Sequence, residues 1–172
     1  MRQSSTLPIA YVVLRILVLL NLLSGAAILA LLTATIVAED WTFAALGITG
    51  KSGIPQMIMG LRAIAALGVV AVGLNHCILG KLLAIVETVG RGDPFVAANA
   101  YRLHAVAWYL LGVQLLSLVI AGIGKAISTP ANPLHLDAGF SPGGWLAVVL
   151  TFVLARVFAE GSLMRDDLEG TV

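Results

Sequence analysis

The residues of this chain with the greatest chemical potential are polar groups set inside apolar segments: Arg62, Asn75, His76, His104 and Gln114. Such groups are costly in hydrocarbon and are default functional candidates. Arg62 lies about 10 Å from the start of its segment, at a rise of 1.5 Å per residue. It either snorkels toward that end or holds an anionic group there. Asn21, Asn75, Gln114 and Thr151 are expected to form interhelical hydrogen bonds, each contributing about 0.6 kcal/mol on average. Asn75 and Gln114 could also join Arg62 in lining a small-ligand cavity. Arg15 is expected to snorkel toward the headgroups. His76 and His104 fall at similar depths if their segments are antiparallel neighbours. Two facing imidazoles can ligate haem or a metal ion. The spacing matches neither C-x-x-C-H nor H-E-x-x-H, so plain packing is the favoured role and no cofactor or metal is expected.

No catalytic constellation accompanies these residues. G-x-S-x-G, Walker A and G-x-G-x-x-G patterns are missing, and Ser24 and Ser117 have no evident base. No pair of carboxylates lies deep in an apolar segment. The reading is therefore non-enzymatic. The single cysteine, Cys77, sits within an apolar run and reads as a small packing residue.

The elements that must position these groups are four apolar stretches, at about residues 9–37, 55–83, 103–127 and 144–163. Hydrophobic residues make up 59% of the 172-residue chain and charged residues 11%. A helix crosses a bilayer in about 20 apolar residues. The pattern predicts a single all-α domain, a polytopic membrane protein with a four-transmembrane-helix bundle. The first stretch reads as a retained helix and not a signal peptide, being too long for an h-region and interrupted by Arg15. Net charge is +1, which offers nucleic acid no basic face.

Positive charges set the expected orientation. Arg2, Arg15, Lys81, Arg91, Arg102, Arg156 and Arg165 fall on one side; Lys51 and Lys125 fall on the other. That asymmetry predicts both termini in the cytoplasm. Aromatics near the ends of the spans (Trp41, Phe43, Phe140 and Trp145 outside, Tyr11 and Tyr101 inside) suit the headgroup zone. The outer loops, 39–54 and 128–141, carry Gly, Pro and Thr without clear period, and Pro130 and Pro133 stiffen the second. The inner connection, 84–102, reads as a tight turn. The second helix is expected to stop at Gly90-Arg91-Gly92, with Asp93 as N-cap and Pro94 as first residue of the third. Ala26, Ala30 and Ala34 share one face, as do Ala66, Gly73, Cys77 and Gly80, and both faces are expected to pack within the bundle.

Polar residues also gather at the predicted inner face. The fourth helix is expected to run on beyond Phe158 into a tail, 164–172, with Arg156 and Glu160 spaced to pair. Two short motifs stand there: Gly92-Asp93-Pro94-Phe95 with Asn99, and Phe158, Glu160-Gly161, Met164, Asp167 and Thr171-Val172. Together they resemble the signatures of a bacterial membrane family known as domain of unknown function 2975. Met164 stands where that family usually has Leu. The resemblance covers essentially the whole chain and implies a bacterial inner-membrane location. It carries over no catalytic residue. It implies, as a partner, a small helix-turn-helix regulator of the kind often encoded beside family members.

The leading expectation is thus a regulatory or accessory protein that docks a partner through Gly92, Asp93, Pro94, Phe95, Asn99, Arg156, Glu160, Gly161, Asp167 and Thr171. Alternatives are a ligand-binding or transport protein using Arg62, Asn75 and Gln114, a haem-binding electron-transfer subunit using His76 and His104, and a structural subunit of a larger membrane complex. Self-association into a homo-oligomer stays open.

Overall fold

A computed structural model describes residues 6–38, 41, 42, 45, 54–129, 133, 134 and 136–169. Expectations placed on Arg2, Phe43, Lys51, Pro130 and Thr171, and on the side chain of Asp167, lie outside the described residues. Four helices occupy most of the chain: α1 (Thr6–Val37), α2 (Ile54–Gly90), α3 (Ala97–Ile127) and α4 (Pro142–Glu169). In hydrocarbon a backbone must satisfy its own N–H and C=O groups, which a helix does within one segment. The prolines obey that demand. Pro8, Pro55 and Pro142 all fall in first turns, where the missing N–H would have had no helical partner. All four helices are long and apolar enough to cross a membrane. The chain is therefore read as a multi-pass membrane protein.

Neighbours in sequence are neighbours in space: α1 packs on α2, α2 on α3, and α3 on α4. Among the described residues no other pair of these helices makes a close backbone approach, so α4 does not close back onto α1. The helix bundle is an open row. Each adjacent pair is antiparallel. Asn21 of α1 bonds the Val72 carbonyl of α2, whereas Thr35, later in α1, meets the earlier Arg62. The α1 start, the 91–96 connection and the α4 end consequently share one end of the molecule, the turn end. The end of α1, the start of α2, the end of α3 and the start of α4 lie at the opposite, loop end.

Few side chains are buried. The buried apolar set is Met57, Ile58, Ile78, Ala100, Leu103, Val106, Ala107, Val148 and Ala155. Leucines along α1 and α4, such as Leu19, Leu23, Leu146 and Leu150, stand exposed. Lipid tails are as apolar as leucine, so that exposure carries no hydrophobic penalty in a bilayer.

Close approach is achieved at glycines that receive a neighbour's side chain. A Cβ on Gly25 would stand 2.8 Å from Val72 Cγ1, and one on Gly60 would stand 2.6 Å from Ile127 Cγ2. A Cβ on Gly144 would collide with the Gln114 amide. These seats correct the small-residue faces expected above. Ala26, Ala30, Ala66, Gly73, Cys77 and Gly80 are exposed, and nothing lies within 4 Å of a Cβ built on Gly73 or Gly80. Small size permits contact but does not choose the face. The choice fell on faces where a branched side chain opposes a glycine.

Candidate functional site

The turn end gathers the two motifs. The end of α2 is a Schellman cap: the Gly92 N–H donates to the Val89 carbonyl at 3.0 Å, and the Asp93 N–H to the Thr88 carbonyl at 3.2 Å. Gly92 holds φ +92°, a left-handed conformation that a side chain would disfavour. This cap uses the Asp93 backbone. Asp93 is therefore not the N-cap of α3, and Pro94 is not its first residue. Val96 takes the N-cap position, without a side-chain capping bond, and α3 begins at Ala97.

The side chain that ties this junction together is Asn99, on the first turn of α3. It is fully buried. Its Nδ2 donates to the Pro94 carbonyl at 2.9 Å, and its Oδ1 accepts from Arg102 NH1 at 2.8 Å. The Thr88 hydroxyl lies 2.9 Å from the same Oδ1, with the Ile85 carbonyl as a competing acceptor at 2.8 Å. Arg102 NH1 also lies 3.3 Å from the Ala84 carbonyl. One amide thus joins the end of α2, the connection and the start of α3. A satisfied buried network of this kind rigidifies what it links.

The second motif closes over the first. A Cβ on Gly161 would stand 2.9 Å from the Phe95 ring, so glycine there is what lets the ring lie on α4. Phe95 also meets Phe158, ring centroids 5.2 Å apart and tilted by 39°. Arg165 NH1 donates to Asp93 Oδ1 at 2.6 Å. The expected docking residues Asp93, Phe95, Asn99 and Gly161 are thus engaged with one another or with their own chain. Pro94 contributes the carbonyl held by Asn99. Arg156 and Glu160 pair at 2.7 Å on the exposed side of α4. Such an exposed i,i+4 pair contributes about 0.3–0.5 kcal/mol.

Beside this clasp, α3 and α4 enclose a groove lined in part by Ala100, Tyr101, His104, Phe152, Ala155 and Arg156. His104 Nε2 accepts from the Trp108 indole N–H at 3.1 Å. The indole can only donate, so a neutral His104 carries its proton on Nδ1. Phe152 of α4 packs edge-on against both His104 and Trp108. His76 is exposed on α2. His104 therefore belongs to an α3–α4 aromatic cluster. Among the described residues no group of three or more His, Cys, Asp or Glu is placed to hold a metal.

The remaining intramembrane polar residues separate. Arg62 donates to the Thr35 carbonyl near the end of α1, where unpaired carbonyls collect partial negative charge. Asn75 bonds Ala71 of its own helix at 3.0 Å, and Thr151 bonds Ala147 of its own at 2.7 Å. Gln114 faces Gly144. Of the four residues expected to bridge helices by hydrogen bonds, Asn21 does so, to Val72 at 3.1 Å. A shared ligand cavity is the expectation for Arg62, Asn75 and Gln114. The cavities between α1, α2 and α3, between α3 and α4, and beneath Leu134, Leu136 and Ala138 are lined by none of them. Arg15 reaches back toward the start of α1, donating to the Tyr11 hydroxyl at 2.7 Å, in the direction expected of snorkelling.

Sequence reasoning missed Thr88, Arg102 and Arg165 as parts of the site. Arg102 had a legible signal, being three residues from Asn99 on one helix face. The Arg165–Asp93 pairing spans 72 positions and had none. Comparison with protein-family models, with curated proteins and with solved structures gave no match.

Proposed function

We propose that this chain is a non-enzymatic regulatory or accessory protein of a bacterial inner membrane that holds a partner at its turn end, with both termini and the turn in the cytoplasm. The observation that carries this reading is the composite surface formed by the clasp. Phe95 on Gly161 and Asp93 on Arg165 join the connection to the end of α4. This end leaves Phe95 at 43% exposure, Leu163 at 64% and Met164 at 67%, beside the exposed Arg91 and Glu160. Apolar side chains left open among charges at a helix end are the composition of a partner site. The cation asymmetry supports the orientation, since Arg15, Lys81, Arg91, Arg102, Arg156 and Arg165 lie toward this end. The resemblance to the domain of unknown function 2975 family rests on the motifs and suggests a small helix-turn-helix regulator as the partner.

Purification of the tagged chain from native membranes in mild detergent tests this. The expected result is a stoichiometric soluble DNA-binding protein, released by Phe95→Ala while the membrane protein stays folded and monodisperse. A stoichiometric regulator retained equally by Phe95→Ala and Leu163→Ala would overturn the docking face. Recovery of a large membrane assembly in its place would make the chain an accessory subunit and remove the regulator.

A further inference from the structure

We propose that the groove between α3 and α4 at the turn end binds one anionic membrane phospholipid, with Arg156 holding the phosphodiester and the apolar floor holding the start of an acyl chain. The groove borders the docking face and shares Leu163 with it, but the inference needs no protein partner. The groove has a volume of about 590 Å³. Its floor is apolar, from Ala100, Ala155 and Phe152, and its rim carries Tyr101, His104 and Arg156.

Depth matches a lipid. His104 lies about 10 Å along α3 from Ala97, and Arg156 about 13 Å from Arg165, at 1.5 Å per residue. The groove therefore starts at the polar edge marked by the Asp93–Arg165 pair and descends into the apolar layer. From there the Arg156 side chain reaches back toward the headgroups, meeting Glu160 one turn nearer that edge. Chemistry matches as well. The Glu160 pairing engages Arg156 Nε and leaves the NH1 and NH2 groups for phosphate oxygens. Tyr101 is 78% exposed and offers a phenolic donor at the rim. Basic clefts between membrane helices are a recognised form of lipid headgroup site.

A narrow acyl chain fits without displacing α3 from α4. The apolar floor argues against a free anion, which gains nothing from it.

The full chain, purified in detergent and stripped of lipid, should be titrated with phosphatidylglycerol under native mass spectrometry. One lipid bound per chain is expected, with affinity lowered about tenfold in Arg156→Gln. Arg91→Gln, at the same end but outside the groove, should bind as the unmodified chain does. Ala159 also lines the groove, and Ala159→Trp fills it and should abolish binding; if it fails to fold, the two arginine variants still decide. Equal losses in Arg91→Gln and Arg156→Gln would reduce the effect to general charge and overturn the site. Glycerol phosphate competing as well as the lipid would show a free-anion site and overturn the lipid. Failure of the unmodified chain to retain phosphatidylglycerol would overturn both.

Discussion

The two ends of the molecule solve the same problem by different means. At the turn end, α2 and α3 are joined by the six residues 91–96, and a fully buried amide, Asn99, ties the junction through Thr88, Pro94 and Arg102. At the loop end, the connection from α3 to α4 is longer and is anchored at separate points. The Gly139 N–H donates to Ser117 Oγ at 2.9 Å, the Leu134 N–H donates to Ser128 Oγ at 3.1 Å, and Leu136 fills the space over Gly124. A short connection has no slack, so its polar groups converge on one hub. A long one distributes its bonds along the helix it crosses. Losing one anchor of a distributed set should leave the others, whereas losing the hub removes three bonds at once.

The largest expected effect follows from that difference. Asn99→Leu should strand the Pro94 carbonyl, at about 1–3 kcal/mol, and take one acceptor from both Thr88 and Arg102, which keep the Ile85 and Ala84 carbonyls. Thermal melting in detergent should show a loss of about 2–4 kcal/mol, and Ser117→Ala at the loop end should lose about 1 kcal/mol. Equal losses would remove the distinction between hub and distributed anchors.

A second test separates glycines that seat a side chain from those that do not. Gly60→Leu must displace Ile127 and should cost about 1–3 kcal/mol by overpacking. Gly73→Leu meets open space and should be neutral or slightly stabilising, since leucine forms helix better than glycine by somewhat under 1 kcal/mol. Destabilisation by Gly73→Leu in detergent would reveal a contact that the single chain does not make.

Smaller effects belong to the clasp. Phe95→Ala should cost about 1 kcal/mol, because the ring is only partly buried. Gly161→Leu should displace the same ring and move it further from Phe158, readable as a change in proteolytic sensitivity of the 91–96 connection. The smallest effect is expected of Asp93→Asn. The Asp93–Arg165 pair is about half exposed, with side-chain exposures of 51% and 39%, so it should contribute no more than about 1 kcal/mol and less at high salt. A loss that does not diminish in high salt would mean that Asp93 acts mainly through its hydrogen bonding.

Much of the fold was legible in the chain. Four apolar runs of spanning length left helices as the spanning element, and Gly90-Arg91-Gly92 marked the end of α2. The candidate site was legible as a set of residues but not as an arrangement. Asp93 read as an N-cap because Asp before Pro usually starts a helix. The Schellman cap at Gly92 used the Asp93 backbone first, and Arg165 took its side chain. The helix faces were misread for a related reason. In a chain this rich in alanine, small-residue spacings arise on several faces, and lipid applies no pressure to bury one apolar face over another.

By itself the sequence determined the helices, their number and their antiparallel order. These depend on local composition and on the need of backbone groups to be satisfied within each segment. The tertiary structure decided that the helices form an open row, which glycines receive which side chains, and that two motifs 60 or more positions apart meet as Phe95 on Gly161 and Asp93 on Arg165. Those outcomes depend on steric fit between surfaces that are all apolar. Hydropathy does not distinguish such surfaces; shape and a few polar partners do.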